Sequence, residues 1–242
     1  MRFRALGCGL WVLGFVVAAL IPAQQRLGAA GHAVTFRAPG GALVNGLMMD
    51  AHDRPAPAVV LVPMLGRPKD DWQAIAQRLA DANINALAID LPSTTMPADQ
   101  AALLTWHEGV IGAVAYLATR SGDVRPDAIG VAGASLGANL TLVAAAADPR
   151  IRSIALVSPS LDYRGVGIES LMARYGGRPA LLMASVHDPY AARSVRALAR
   201  DASGARELRW SAIPAHGSVL LSRDADLVRS LVEWFQQTLA VQ

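Results

Sequence analysis

Residues 128–137 read Ala-Ile-Gly-Val-Ala-Gly-Ala-Ser-Leu-Gly, and the prediction of the fold rests on this stretch. A β-rich run ends at Gly133, and an Ala/Leu-rich segment of helical composition begins at Leu136. Ser135 therefore falls on a strand-to-helix turn so sharp that neighbouring side chains would collide, hence the glycines two residues to either side. Such a turn exposes a hydroxyl at the carboxyl end of a sheet, where open α/β sheets bind ligands. We interpret Ser135 as a nucleophile; the alternatives are a packing turn of small residues and a helix N-cap without chemistry.

Strand and helix patterns alternate on both sides of this turn. The predicted strands are a β-hairpin at Ala33–Arg37 and Leu43–Met49, then Ala58–Val62, Asn85–Ile89, Ala128–Ala132, Ser153–Val157, Ala180–Ala184 and Glu207–Ile213. The predicted helices are Asp71–Ala82, Ala98–Arg120 (bent near Gly109 and Gly112), Leu136–Ala147, Ala191–Ala202 and Asp224–Leu239, with a short one around Ile168–Arg174. This alternation predicts an α/β fold with a mostly parallel central sheet and helices on both faces. Because only about 20 residues separate Pro159 from Pro179, no large lid is expected.

Two residues further along the chain could activate Ser135. A serine hydroxyl is a poor nucleophile at neutral pH, so it needs a general base, and the base needs an orienting acid. Asp188 directly follows one predicted strand, and His216 follows the next one, in the loop immediately before the last helix. Ser, Asp, His is the chain order expected with this type of turn. Asp188 could instead be only a helix N-cap before Pro189, and His216 only a solvent-exposed loop residue.

These segments resemble the α/β-hydrolase superfamily. The resemblance rests on the hairpin, the turn Gly133–Gly137, the segment Asp188-Pro189-Tyr190-Ala191 and the segment His216-Gly217, and it covers about residues 33–240. Within the superfamily the chain is similar to small lidless members, namely dienelactone-hydrolase-like carboxylesterases and the catalytic domains of prolyl-oligopeptidase-type peptidases. The resemblance implies the α/β-hydrolase fold with a Ser-His-Asp triad. Since some members carry the acid elsewhere, Asp162 is an alternative to Asp188.

Two backbone amides are expected to stabilise an oxyanion beside Ser135. The amide of Leu136 lies at the start of a predicted helix and is aimed toward the target of the nucleophile. The resemblance implies a second donor in the loop of residues 63–67, which reads Pro-Met-Leu-Gly-Arg where many relatives begin with His-Gly. Because its proline has no N–H, the candidate donors are Met64 and Leu65.

The function expected from these residues is the hydrolysis of carboxylic esters through an acyl-enzyme on Ser135. A lidless scaffold with an apolar mouth favours a small-molecule ester or acyl substrate. The residues expected to line this mouth are Met64, Leu65, Met96 and Tyr190. An exported peptidase, amidase or acyltransferase could use the same triad, and a non-catalytic binding protein could retain the same fold.

Composition excludes several other classes of function. The chain has 242 residues, of which 53% are hydrophobic and 17% charged, as expected for one large globular domain. Its net charge of +3 comes from scattered arginines without a basic stripe, so we expect no binding to nucleic acid. No Gly-rich phosphate-binding motif follows a strand, and the histidines lack metal-ligand spacing, so we expect neither a cofactor nor a metal. The histidines outside the candidate triad are His32, His52, His107 and His187. The sequence leaves the oligomeric state open.

The N-terminus predicts export. Arg2 and Arg4 precede an uncharged apolar stretch of 19 residues, Ala5–Ala23, which is typical of a secretory signal and also just long enough for an uncleaved membrane anchor. Cys8, within this stretch, is the only cysteine, so the rest of the chain needs no disulfide. We therefore expect a signal peptide or anchor over residues 1–23, a linker over 24–32 and an α/β-hydrolase domain over 33–242. The domain would be periplasmic or secreted.

Overall fold

The computed structural model of the protein describes residues 31–200 and 203–240, so the predicted leader and residues 24–30 of the predicted linker lie outside the described residues. The strands are β1 His32–Arg37, β2 Leu43–Met49, β3 Ala56–Val62, β4 Asn85–Ile89, β5 Val124–Ala134, β6 Ile151–Val157, β7 Asp162–Tyr163, β8 Val166–Gly167, β9 Ala180–Ser185 and β10 Arg206–Ser211. The helices are α1 Gln73–Asp81, α2 Gln100–Thr105, α3 His107–Ala118, α4 Leu136–Ala147, α5 Leu171–Tyr175, α6 Pro189–Arg200, α7 Gly217–Arg223 and α8 Ala225–Thr238. A 3-10 turn at Lys69–Trp72 leads into α1.

In the described part of the chain the strands build an eight-stranded sheet in the order β1-β2-β4-β3-β5-β6-β9-β10. β1 and β2 form the predicted antiparallel hairpin, β2 is also antiparallel to β4, and the remaining neighbours are parallel. After β3 the chain adds β4 on one side and then crosses to add β5 on the other. The carboxyl ends of β3 and β5 therefore flank the switch point at which open parallel sheets bind ligands.

Helices cover both faces of the sheet because its central strands are apolar on both sides. In β3, Val60 and Val62 contribute to one core, whereas Val59 and Leu61 contribute to the other, and all four are fully buried. Helices α3 to α6 complete the first core, and α1, α7 and α8 complete the second. Burial of one such side chain stabilises the fold by about 1.5–3 kcal/mol. Because the buried side chains of a strand alternate between the two faces of the sheet, this burial holds a layer of helices on each face. The predicted α/β architecture is confirmed: the sheet is mostly parallel and, over residues 31–200 and 203–240, no large lid is present.

The helix predicted over residues 98–120 is divided in two. The break lies at Trp106, between α2 and α3, and not near Gly109 and Gly112 as expected. Beside it, Nδ1 of His107 lies 2.7 Å from the carbonyl oxygen of Leu104, a side-chain interaction that competes with the hydrogen bonds of a continuous helix. Gly112 has another role, because a Cβ there would lie 2.9 Å from the backbone of the N-terminal hairpin.

A helix that was not predicted separates His216 from the last helix. α7 begins at Gly217, directly after His216, and α8 follows it after Asp224. The expectation that His216 lies immediately before the last helix is therefore wrong. Leu220 and Leu221 of α7 are buried in the second core, but seven residues are too few to show a clear helical period in the sequence.

Candidate active site

Ser135 occupies a strained turn between β5 and α4. Its backbone has φ 52° and ψ −119°, in a region that residues with a side chain rarely adopt. The Ser135 N–H donates to the carbonyl of Val157 in β6, and the Ser135 carbonyl accepts from the Ala138 N–H, both at 2.9 Å. Such a conformation costs about 1–3 kcal/mol and persists only where the surroundings enforce it. The turn holds a mostly buried serine at the carboxyl edge of the sheet, with 7% of the residue exposed.

Two glycines make this turn possible, as predicted. A Cβ on Gly133 would lie 2.2 Å from the carbonyl oxygen of Gly137. A Cβ on Gly137 would lie 2.4 Å from the carbonyl oxygens of Val62 and Pro63, at the end of β3. The atoms that exclude a side chain belong to the backbone and cannot rotate away. Helix α4 therefore begins in direct contact with the loop that follows β3.

Ser135, His216 and Asp188 are brought together in one hydrogen-bonded chain. Ser135 Oγ lies 2.9 Å from Nε2 of His216, and Nδ1 of the same ring lies 2.5 Å from Oδ2 of Asp188. A carboxylate can only accept, so Nδ1 carries the proton that is donated to Asp188. In a neutral ring Nε2 is then an acceptor, and it receives the hydroxyl proton of Ser135. This arrangement can remove a proton from Ser135 and return it, as a general base does.

Asp188 also caps a helix, so it is both a helix cap and a hydrogen-bond partner of His216. Its Oδ1 accepts from the N–H of Ala191 at 3.0 Å, in the first turn of α6, while Oδ2 accepts from His216. The alternative acid, Asp162, is the exposed first residue of β7, where its Oδ1 accepts from the N–H of Gly165 in the turn to β8. The carboxylate that contacts His216 is that of Asp188.

The candidate oxyanion donors follow β3 and β5, the two strands that flank the switch point. Within residues 31–200 and 203–240, the amides of Leu136, Met64 and Leu65 donate to no protein acceptor. The side chain of Met64 lies beside the triad, because a Cβ on Gly217 would be 2.8 Å from Met64 Sδ and 3.7 Å from the Cβ of Ser135. These amides can therefore donate to a bound oxygen atom, and both Met64 and Leu65 stay candidates.

The loop that carries Met64 is tied to the loop that carries His216 through Asp71. Arg67 donates to the Asp71 carboxylate at 2.5 and 3.1 Å, and the hydroxyl of Ser218 donates to it at 3.3 Å. Hydrogen bonding to Asp71 raises the pKa of Arg67 above its usual value. The sequence gives no signal for this contact, because Ser218 is 147 positions away from Asp71 in the chain.

The triad is open to solvent on one side. The side chain of His216 is 46% exposed. Tyr190 is exposed two positions after the triad acid, with the guanidinium of Arg193 at 5.0 Å from the centre of its ring. Met96 and Leu103 line a cavity of about 320 Å³ whose lining includes no triad residue. Two residues outside the loop of residues 63–67 were predicted to bind substrate, Met96 and Tyr190. Of these, Tyr190 lies in the first turn of α6, two positions after Asp188.

Among residues 31–200 and 203–240, no group of three or more His, Cys, Asp and Glu side chains could hold a metal ion. Two of the other histidines make local contacts: Nδ1 of His32 lies 3.6 Å from Oδ2 of Asp50, and Nδ1 of His107 lies 2.7 Å from the carbonyl oxygen of Leu104.

Solved structures resemble this chain over most of its length. It matches an α/β hydrolase from Penicillium sp., GrgF, with a TM-score of 0.71 at 14% identity, covering 87% of this chain and 99% of that one. A dienelactone hydrolase from Anabaena variabilis matches with a TM-score of 0.70 at 19% identity, over 87% of this chain and 98% of that one. The chain has the α/β-hydrolase fold. EstE1, a thermostable carboxylesterase cloned from a metagenomic library, shares the α/β-hydrolase fold with a TM-score of 0.69 at 19% identity, over 88% and 90% of the two chains.

The predicted α/β-hydrolase fold is confirmed by these structures. No family model matches the sequence, and no curated protein matches it either. At identities of 14–19% the likeness establishes the α/β-hydrolase fold, while the activity has to be argued from the site.

Proposed function

We propose that the protein is a serine hydrolase that cleaves carboxylic esters through an acyl-enzyme on Ser135. The observation that carries the proposal is the unbroken hydrogen-bonded chain from Ser135 through His216 to Asp188 at the carboxyl edge of the sheet. The strained backbone of Ser135 supports it, because strain of this kind is concentrated at functional sites. A binding protein that merely retained the fold would need neither feature.

The mechanism follows from the direction of the hydrogen bonds. Nε2 of His216 takes the hydroxyl proton as Ser135 Oγ attacks the ester carbonyl carbon, and Asp188 stabilises the resulting imidazolium. The carbonyl oxygen becomes an oxyanion that accepts from the Leu136 amide and from that of Met64 or Leu65. The imidazolium then protonates the leaving alcohol as the carbon–oxygen bond breaks, which leaves an acyl group on Ser135. Water, deprotonated by His216, attacks this acyl group and releases the acid.

An ester substrate is preferred to a peptide because of the surroundings of the triad. The site is open, and its near rim carries the apolar side chains of Met64 and Leu65, which are only partly buried. A small apolar ester can bind by contacting these side chains alone. A peptide substrate would also need a subsite for its charged end. The printed names of two structural neighbours, a dienelactone hydrolase and a carboxylesterase, agree with this choice.

The decisive experiment combines covalent labelling with turnover. The purified protein should react with a fluorophosphonate probe at Ser135, located by mass spectrometry, and should hydrolyse p-nitrophenyl esters of short acids. Ser135→Ala should abolish labelling and lower kcat by a factor on the order of 10⁶. Ser222→Ala, which removes an exposed hydroxyl from α7, should leave both unchanged.

Other outcomes would redirect the proposal. A Ser135→Ala protein that hydrolyses esters at the wild-type rate would refute the nucleophile. Turnover of amide substrates but not of esters would favour the peptidase or amidase alternative, and transfer of the acyl group to an added alcohol in place of water would favour an acyltransferase. A wild-type protein that neither reacts with the probe nor turns over any ester, amide or acyl acceptor would favour a non-catalytic role.

We also propose that this activity is exported. The basic start at Arg2 and Arg4 and the apolar stretch Ala5–Ala23 support export. Fusing residues 1–32 to alkaline phosphatase, which is active only outside the reducing cytoplasm, should give phosphatase activity in whole cells. Replacing Val16 and Val17 by aspartate should abolish that activity, because charges in the apolar stretch block insertion. If the fusion with the native stretch gave no phosphatase activity in whole cells, the proposal of export would be wrong.

A further inference from the structure

The loop that positions His216 has no regular secondary structure of its own. It runs from the end of β10 at Ser211 to the start of α7 at Gly217. A general base must nevertheless be held in place, since a displacement of about 1 Å can cost about a hundredfold in rate. The backbone next to His216 therefore needs contacts from elsewhere in the fold.

The start of α7 presents a particular difficulty at this position. His216 is the N-cap residue of α7, and its side chain makes no capping hydrogen bond because its ring contacts Ser135 and Asp188. The first N–H groups of a helix have no partner within the helix, so the Gly217 amide requires an outside acceptor. That acceptor is the hydroxyl of Ser158, at 3.1 Å.

The backbone of Ser158 is strained in this position. It lies directly after β6, is 1% exposed, and has φ 49°, a value that favours glycine. Its N–H donates to the carbonyl of Met183 in β9 at 2.8 Å, which fixes the backbone between two central strands. A glycine would adopt this conformation without strain but would offer Gly217 no hydroxyl. The presence of serine here is explained by the hydrogen bond that its side chain makes.

Within the loop the N–H of Ala215 donates to the carbonyl of Ile213 at 2.9 Å, and the other hydrogen bonds from side chains elsewhere in the fold lie further from His216. Ser185 donates to the carbonyl of Ile213 at 2.6 Å, three positions before the histidine. Ser218 donates to Asp71, two positions after it. Ser158 is the serine whose side chain binds the residue adjacent to His216.

We infer that Ser158 is a positioning residue for His216: its hydroxyl fixes the Gly217 amide and thereby the imidazole between Ser135 and Asp188. The inference rests on the proposed function, in which His216 is the general base. Ser158 contacts neither the substrate carbonyl nor Ser135 Oγ in this scheme. Its removal should therefore lower the rate of acylation more than it weakens substrate binding.

The test compares Ser158→Ala and Ser158→Gly with a matched control. Both variants remove the acceptor, but only glycine relieves the positive φ. We expect kcat to fall about tenfold or more in both, with KM changed by less than about twofold, while the urea midpoint of Ser158→Gly lies above that of Ser158→Ala. Ser153→Ala is the control, because it removes a buried hydroxyl that accepts from Thr238 at the opposite end of β6. It should lower the urea midpoint but leave kcat unchanged.

A second measurement does not depend on turnover. The short hydrogen bond from His216 Nδ1 to Asp188 should give a strongly deshielded proton resonance by NMR. This resonance should broaden or disappear in Ser158→Ala and persist in Ser153→Ala. The inference would be overturned if Ser158→Ala kept both the wild-type kcat and the resonance. It would also be overturned if kcat of Ser158→Gly rose toward the wild-type value together with its urea midpoint. If the wild-type protein hydrolyses no ester but Ser158→Ala loses the resonance, the proposed function fails and the positioning of His216 stands.

Discussion

Asp188 uses its two carboxylate oxygens for two different hydrogen bonds. Oδ2 accepts from the His216 ring and Oδ1 accepts from the N–H of Ala191 at the start of α6. One residue therefore orients the base and caps a helix. The two contributions can be separated by substitution, because the helix cap needs only one acceptor whereas the imidazole needs a carboxylate.

Asp188→Asn should remove activity but keep most of the stability. The asparagine oxygen can still accept from Ala191, while its amide group facing His216 forces the wrong tautomer, and we expect kcat to fall about 10⁴-fold. Asp188→Ala should lower kcat similarly and also lose about 0.5–2 kcal/mol of unfolding free energy with the cap. Ester turnover and urea unfolding of both variants check this. An Asp188→Asn protein with near wild-type kcat would assign the acid to another carboxylate.

The sequence predicted which three side chains lie together at the candidate site, whereas the residues that hold them in place could not be predicted. Ser135, Asp188 and His216 each follow a strand, so local patterns and chain order identify them together. Ser158 carries no comparable signal, because its partner Gly217 is 59 positions away and its positive φ is visible only in the folded chain. The sequence also does not decide between Met64 and Leu65 as the proposed oxyanion donor. Almost any side chain can accompany a backbone N–H that donates, so the identity of the residue carries no signal.

At the scale of elements, the turn from β5 to α4 acts through close backbone packing. Gly137→Ala would place a Cβ 2.4 Å from the carbonyl oxygens that end β3, and those atoms belong to the start of the oxyanion loop. We expect a loss of about 1–3 kcal/mol or more in unfolding free energy, together with slower fluorophosphonate labelling, because the loop must move to admit the methyl group.

The control for this variant is Gly122→Ala. A Cβ at Gly122 meets no atom within 4 Å, so the substitution should leave labelling unchanged and stability equal or slightly higher. Equal stability of Gly137→Ala and wild type would show that the contact between α4 and the β3 loop is looser than the structure indicates.

Element prediction from sequence succeeded where periodicity was long and failed where side chains interrupt it. The parallel strands and α4 follow from apolar runs that alternate with helical segments. The break at Trp106 was missed because His107 interacts with a helix carbonyl, which composition does not reveal. Helix α7 was missed because its seven residues are stabilised by burial against the sheet, a tertiary effect.

At the scale of the whole molecule, sheet topology assembles the site from distant parts of the chain. The proposed nucleophile follows β5 and the proposed second oxyanion donor follows β3, on the two sides of the switch point. The proposed acid follows β9 and the proposed base follows β10, at the same edge because these strands are parallel to β6. The residues converge without a second domain, and within the described residues no element covers the exposed side of His216.

This open arrangement predicts the kinetics of the proposed hydrolase. Enzymes with a lid need a conformational step before chemistry, and their rate rises abruptly when a surface or aggregate opens the lid. Here the triad hydrogen bonds are already formed and His216 is already accessible, so no such step is required. The measurement is the initial rate on a short-chain ester at total concentrations from below to above its solubility limit. Below the limit the rate should follow a single hyperbola, and above it the rate should stay constant because the concentration of dissolved substrate no longer increases. Ser135→Ala corrects for spontaneous hydrolysis. An abrupt rise at the solubility limit would mean that part of the chain closes over the site in solution.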